Sequence, residues 1–188
     1  MPRTRYSITK RVYPKKNWAF TTGQSFFSLE GCGVEHWSGT ENYLIRVPSR
    51  INDQARPANT GYASSTVKDI EVHFSLNGPT YSGIFLTFAI VYLPEFVDVN
   101  KENMDLNLLD NDAVIYTHPE WVLGYRTIQY DSQDQQNEYI LKSRIKKRMH
   151  PGDTIALYAL AVNHAEQPAY TFTNCICYVN YSYKIASN

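Results

Sequence analysis

Arg3, Arg5, Lys10, Arg11, Lys15 and Lys16 place six cations and no acid in the first sixteen positions. Over the whole chain, 18 basic residues balance 18 acidic ones. The chain beyond Lys16 therefore holds 12 basic residues against all 18 acids, a net of −6. A cationic arm on a mildly acidic body suits a polyanion met by the arm, and nucleic acid is the commonest such partner.

A second cationic run is Lys142-Ser143-Arg144-Ile145-Lys146-Lys147-Arg148, with five charges in seven residues. On one continuous strand Lys142, Arg144, Lys146 and Arg148 share a face at a spacing of about 6.6 Å. Leu141, Ser143, Ile145 and Met149 then face the other way. Like charges in such a row repel unless an anion lies across them. The competing account is an edge strand whose lysines block association between sheets. The basic arm in the same chain favours phosphate binding. Tyr6, Tyr13 and Trp18 stand in or beside the arm, where rings stack on bases. Trp18 itself is expected to begin the hydrophobic core. Lys10-Arg11 with Lys15-Lys16 also fits a nuclear import signal.

Other chemistry finds little support. His36, His73, His118, His150 and His164 are scattered, and none stands at metal-ligand spacing from a second ligand. Structural or surface roles are expected for all of them. Cys175 and Cys177 share a strand face and read as small apolar core residues. With Cys32 they make no disulfide framework, which fits reduced thiols. No nucleophile elbow, P-loop or dinucleotide glycine pattern occurs. The expectation is a protein that is not an enzyme, with no cofactor and no metal site.

The elements that carry these residues are strands. Fifteen tyrosines, eight phenylalanines and three tryptophans suit pleated, half-buried surfaces. Period-two alternation recurs and sustained helical periodicity does not. Lys68, Ile70, Val72, Phe74 and Leu76 are expected on one face, and Val67, Asp69, Glu71, His73 and Ser75 on the other. Ser82–Leu93 is apolar on both faces and must be covered on both. The remaining strands are expected at Trp18–Glu30, Tyr43–Val47, Trp121–Tyr130, Glu138–Met149, Thr154–Val162 and Tyr170–Ile185, with Ala113–Thr117 a possible ninth. Pro151-Gly152-Asp153 makes a tight turn. Pro48–Ser65 and the acidic Pro94–Asp112 read as long loops, the latter with one helical turn at Asn103–Leu109.

Eight strands with long, unequal connections predict an all-β fold, a single eight-stranded jelly roll of two packed antiparallel sheets. The division is a basic arm over residues 1–17 and a jelly-roll domain over 18–188. No apolar run is long enough to cross a membrane as a helix, so membrane insertion is not expected. The N-terminal charge lacks the apolar stretch of a secretory signal.

A basic arm ahead of a jelly roll resembles the capsid proteins of circular, Rep-encoding single-stranded DNA viruses, the circovirus-like group. Val67-Lys68-Asp69-Ile70-Glu71-Val72-His73-Phe74 is similar to an alternating strand of those coats. Tyr170 to Lys184 is similar to their aromatic-rich last strand. Lys146-Lys147-Arg148-Met149-His150-Pro151-Gly152-Asp153-Thr154-Ile155 looks like their basic strand, turn and apolar strand. The arm departs from the circovirus type: it is short and interrupted by Tyr6, Ile8, Val12 and Tyr13. The resemblance implies copies of the chain closing into an icosahedral shell of about sixty subunits. It implies single-stranded DNA as cargo, residence in the virion, passage through the host nucleus and a host-cell receptor. A second class of function for such a fold is a carbohydrate- or receptor-binding module, lectin-like or a tumour-necrosis-factor-like trimer. Trp121, Tyr125 and Tyr130 would form its sugar platform.

Overall fold

The computed structural model describes residues 16–29, 36–38, 43–46, 64–77, 84–95, 114–130, 138–163 and 175–187. Residues 1–15 of the arm, the segments 47–63 and 96–113, Tyr6, Tyr13, Cys32 and His164 lie outside these.

Among the described residues, ten strands form two sheets. They are β1 (Ala19–Leu29), β2 (His36–Ser38), β3 (Tyr43–Arg46), β4 (Ser65–Asn77), β5 (Ile84–Leu93), β6 (Val122–Tyr130), β7 (Glu138–Ser143), β8 (Lys147–Met149), β9 (Thr154–Asn163) and β10 (Cys175–Ser187). The first sheet runs β1-β10-β4-β7, with β8 also on β4; the second runs β2-β9-β5-β6, with β3 also on β9. Every pairing is antiparallel. Strands β2 and β3 follow one another along β9, and β7 and β8 along β4, so each pair fills one strand position. The result is four positions per sheet, crossed by long connections, which is the double-sheet jelly roll.

The core lies between the sheets. Ile70, Val72 and Phe74 of β4 meet Leu86, Phe88 and Ile90 of β5, all at or below 1 % exposure. The Phe74 ring centroid is 3.9 Å from that of Phe88 and 5.6 Å from that of Tyr139, so three strands converge on one aromatic cluster. Rings of this size contribute much of the burial that offsets chain entropy. On β5, Ala89 and Val91 are as buried as their inward neighbours, as a strand apolar on both faces requires. Cys177 is buried in the same core.

Three local departures shape the outer surface. Asp69 has φ 50°, and the β4–β10 register slips between Ser182 and Lys184. This β-bulge places Lys68 and Asp69 together on the outer face and turns Val67 inward, at 0 % exposure. The expected sidedness of Val67 and Lys68 is thereby exchanged. Glu138–Met149 is not one strand: residues 144–146 leave the ladder, and Ile145, expected inward, is 48 % exposed. Val114–Thr117, a possible strand by its sequence, is a single helical turn, α1.

The turn from β8 to β9 is held by Asp153, which is 4 % exposed. Its carboxylate accepts from Tyr92 Oη at 2.6 Å, from the His150 amide at 2.7 Å and from the Glu95 amide at 3.2 Å. Burial, reinforced by the bond to Asp153, pushes the Tyr92 phenol well above its usual range. Gly152 takes φ 91°, open to glycine at low cost, and the Glu95 side chain fills the space of a would-be Cβ. Lys147 leans inward over the Tyr92 ring at 3.7 Å, and burial lowers its pKa. This latch fixes the exit of the basic run.

Candidate nucleic-acid interface

Alternation on β1, β10, β4 and β7 assigns each side chain to the core or to the outer face of the first sheet. The register then stacks the outer residues into rows. Phe26, Tyr178, Ser75 and Glu138 form one row; Gln24, Asn180, His73 and Ile140 the next. Thr22, Ser182, Glu71 and Lys142 come after these, and then Phe20, Lys184 and Lys68. Beyond them stand Trp18 and Arg148.

Charge is concentrated at the Trp18 end. The Lys68 ammonium lies 4.3 Å from the Trp18 ring centroid and that of Lys146 lies 5.7 Å away. Cation–π attraction of this kind holds the ring half-buried on the sheet surface. Trp18 is therefore not the start of the core, as its sequence position suggests, but the floor of a cationic patch. Lys16 Nζ donates to Thr66 Oγ1 at 2.9 Å, so the end of the basic arm enters here. Arg148 donates to Ser64 Oγ at 3.4 Å.

The acids of this face are few and engaged. Asp69 bonds Lys184 at 3.0 Å and lies 3.9 Å from Lys68. The Lys184 hydrogen bond, above all, holds the Asp69 carboxyl below its ordinary pKa. Glu71 bonds His73 Nε2 at 2.7 Å and Lys142 at 3.0 Å, and both lower its pKa, His73 the more. Glu138 meets His73 Nδ1 at 2.9 Å. The His73 pKa rises, chiefly through its bond to Glu71. The two carboxylates sit on opposite ring nitrogens of His73. Among the described residues no three His, Cys, Asp or Glu side chains form a metal-binding group.

Among the described residues, no carboxylate lies within ion-pair distance of Arg144, Lys146 or Arg148. Seven basic residues (Lys16, Lys68, Lys142, Arg144, Lys146, Arg148 and Lys184) thus gather around three acids. The sequence-predicted residues Lys16, Lys142, Arg144, Lys146 and Arg148 are brought to this face. They arrive from the arm, a strand end, a break and a second strand rather than from one ladder. Arg3, Arg5, Lys10, Arg11 and Lys15 lie outside the described residues.

Sequence reasoning missed Lys68, Lys184 and the aromatics Phe20, Phe26 and Tyr178, which are 67 %, 72 % and 46 % exposed. The available signal was parity: Phe20 and Phe26 share a strand face with Thr22 and Gln24. Of the expected sugar platform, Tyr125 is exposed, Trp121 is not, and the side chain of Tyr130 lies outside the described residues. Trp121 is buried, and the His118 ring covers it at 3.9 Å and 8°.

No protein-family model matches the chain, and no curated protein sequence matches it. Among solved structures it is similar to Desmodium yellow mottle tymovirus, with 12 % identity over 99 % of this chain and 96 % of that one, at a TM-score of 0.36. It is similar to the decameric BFDV capsid protein, with 8 % identity over 93 % and 99 % of the two chains, at 0.37. It is also similar to the full particle of Israeli acute paralysis virus, with 13 % identity over 88 % and 74 %, at 0.30. One of the three is a capsid protein and the other two are virus structures.

Proposed function

We propose that this chain is a structural capsid subunit. Its copies close into a small icosahedral shell of about sixty, with the closed symmetry common to homo-oligomers. The cargo is single-stranded nucleic acid, and DNA by the resemblance to circovirus-like coats. The virion is its place, and the paired cations of the arm suit import into a host nucleus during assembly.

One observation carries this reading. The end of the basic arm meets the cationic end of an exposed sheet face, at Lys16–Thr66 and around Trp18. Lys16 thus joins the positive patch of the sheet, and five further cations precede it in the chain. Binding through it is phosphate-driven, largely independent of sequence and weakened by salt. The burial of Trp121 takes one of the three platform rings away from the lectin-like alternative.

The test is to express the full chain, purify it without nuclease, and combine sizing, electron microscopy and absorbance. Closed particles carrying nucleic acid support the reading. A soluble trimer or monomer free of nucleic acid overturns it.

A further inference from the structure

We infer that the outer face of the first sheet selects unpaired bases, stacking them on Phe20, Phe26 and Tyr178, so that it prefers single strands to duplex. The inference rests on the capsid reading and names what that reading leaves open: which chemical part of the cargo the sheet itself holds.

Three features lead there. First, the aromatics are exposed without being randomly placed. Phe26 and Tyr178 are direct cross-strand partners, and Phe20 stands opposite Lys184. Phe20 and Phe26 lie six residues apart on one strand face, about 20 Å. Second, the surface between them is a shallow groove of about 480 Å³ lined by Thr22, Gln24, His73, Asn180 and Ser182. It continues into a second hollow of about 360 Å³ beside Phe26 and Tyr178. Gly23, between Thr22 and Gln24, faces inward, where the Tyr181 ring occupies the position of a would-be Cβ. Amide and hydroxyl side chains at such spacing offer donors and acceptors to base edges, and the rings offer faces. Third, cations sit at the Trp18 end of the groove, at Lys68, Lys146 and Arg148. A single strand laid across the face places phosphates on the cations and bases over the groove. In a duplex the bases are paired inward and leave those rings uncovered.

The other occupant of such a surface is a second copy of the chain. Charge argues against it: a face whose described residues include seven basic and three acidic ones, laid on its own copy about a two-fold axis, brings like charges together.

The experiment measures full-chain binding, at one fixed salt concentration, to a thymidine homo-oligomer of about 20 nucleotides, to a duplex of equal length and to an abasic oligomer. The unmodified chain is expected to bind the homo-oligomer more tightly than the duplex or the abasic strand. Phe20→Ala with Phe26→Ala should weaken the homo-oligomer at least about five-fold and leave the other two probes unchanged. Phe20→Leu with Phe26→Leu keeps apolar area without a ring, so the same loss is expected. Equal affinity of the unmodified chain for all probes, or equal loss on all probes in the variants, overturns the inference and leaves phosphate-driven packaging standing. Intact binding with lost self-assembly reassigns the face to a subunit contact and also overturns it. Absence of binding to any probe overturns this inference and the capsid reading together.

Discussion

Replacing Arg144, Lys146 and Arg148 together with glutamine isolates the cations that carry no carboxylate partner among the described residues. Lys142 and Lys184 are poorer choices, because Glu71 and Asp69 already offset them at 3.0 Å each. On a single strand each phosphate neutralised contributes about 0.7 to the slope of log affinity against log salt. Losing three contacts lowers that slope by about 2. Between about 50 mM and 200 mM salt, the unmodified chain should therefore lose roughly 18-fold more affinity than the variant. The fold should survive: all three residues are exposed, and the Lys146–Trp18 contact at 5.7 Å is a weak one. Fluorescence anisotropy with a labelled homo-oligomer gives the slopes, and thermal unfolding checks the fold. Identical slopes in a folded variant would refute the assignment of this patch to phosphate.

Three further outcomes test how the fold holds that face. Phe74→Ala should cost about 3–5 kcal/mol, because the ring joins Phe88 and Tyr139 at full burial; urea unfolding measures it. Asp153→Asn should cost about 2 kcal/mol, since three donors converge on that buried carboxylate, and the melting temperature should fall accordingly. His73 has a raised pKa, so its contribution is complete below its ordinary value of 6.5 and is lost as pH rises through the folded value. Glu71 has a lowered pKa, so its contribution is present above 4.5 and is lost as pH falls through the folded value. The unmodified chain should accordingly lose stability above about pH 6.5 in chemical denaturation, and His73→Gln should remove that decline; an unchanged decline would contradict the Glu71–His73–Glu138 geometry.

The all-β jelly roll was legible because alternation is a local property. Val72, Phe74 and Leu76 announce one buried face within five residues, and Cys177, Val179 and Tyr181 another. The both-faces-apolar run at β5 likewise declared its burial. What escaped was set by pairing between distant segments. The bulge at Asp69 answers to the register with Lys184, more than a hundred positions away, and nothing within Val67–Ile70 signals it. β2 is three residues long, too short for any period to show. The break at residues 144–146 leaves Ile145 exposed where strand parity buries it. Trp18 illustrates the same limit at the site. Its type suggested a core residue, whereas Lys68 and Lys146, from two other segments, hold it on the surface. The cations themselves were legible as charge; the approach of Lys68 and Lys146 to one aromatic was not, because it joins three separate segments of the chain.

The central claim is that the outer face of the first sheet carries the packaged nucleic acid. Ultraviolet cross-linking of purified, nucleic-acid-containing particles, followed by mass spectrometry of the peptides, addresses it directly. The account predicts nucleotide adducts on peptides spanning residues 16–26 and 142–149 and around Tyr178. Adducts confined to α1 and the second sheet, at Tyr116 or Tyr125, with none on those peptides, would contradict it.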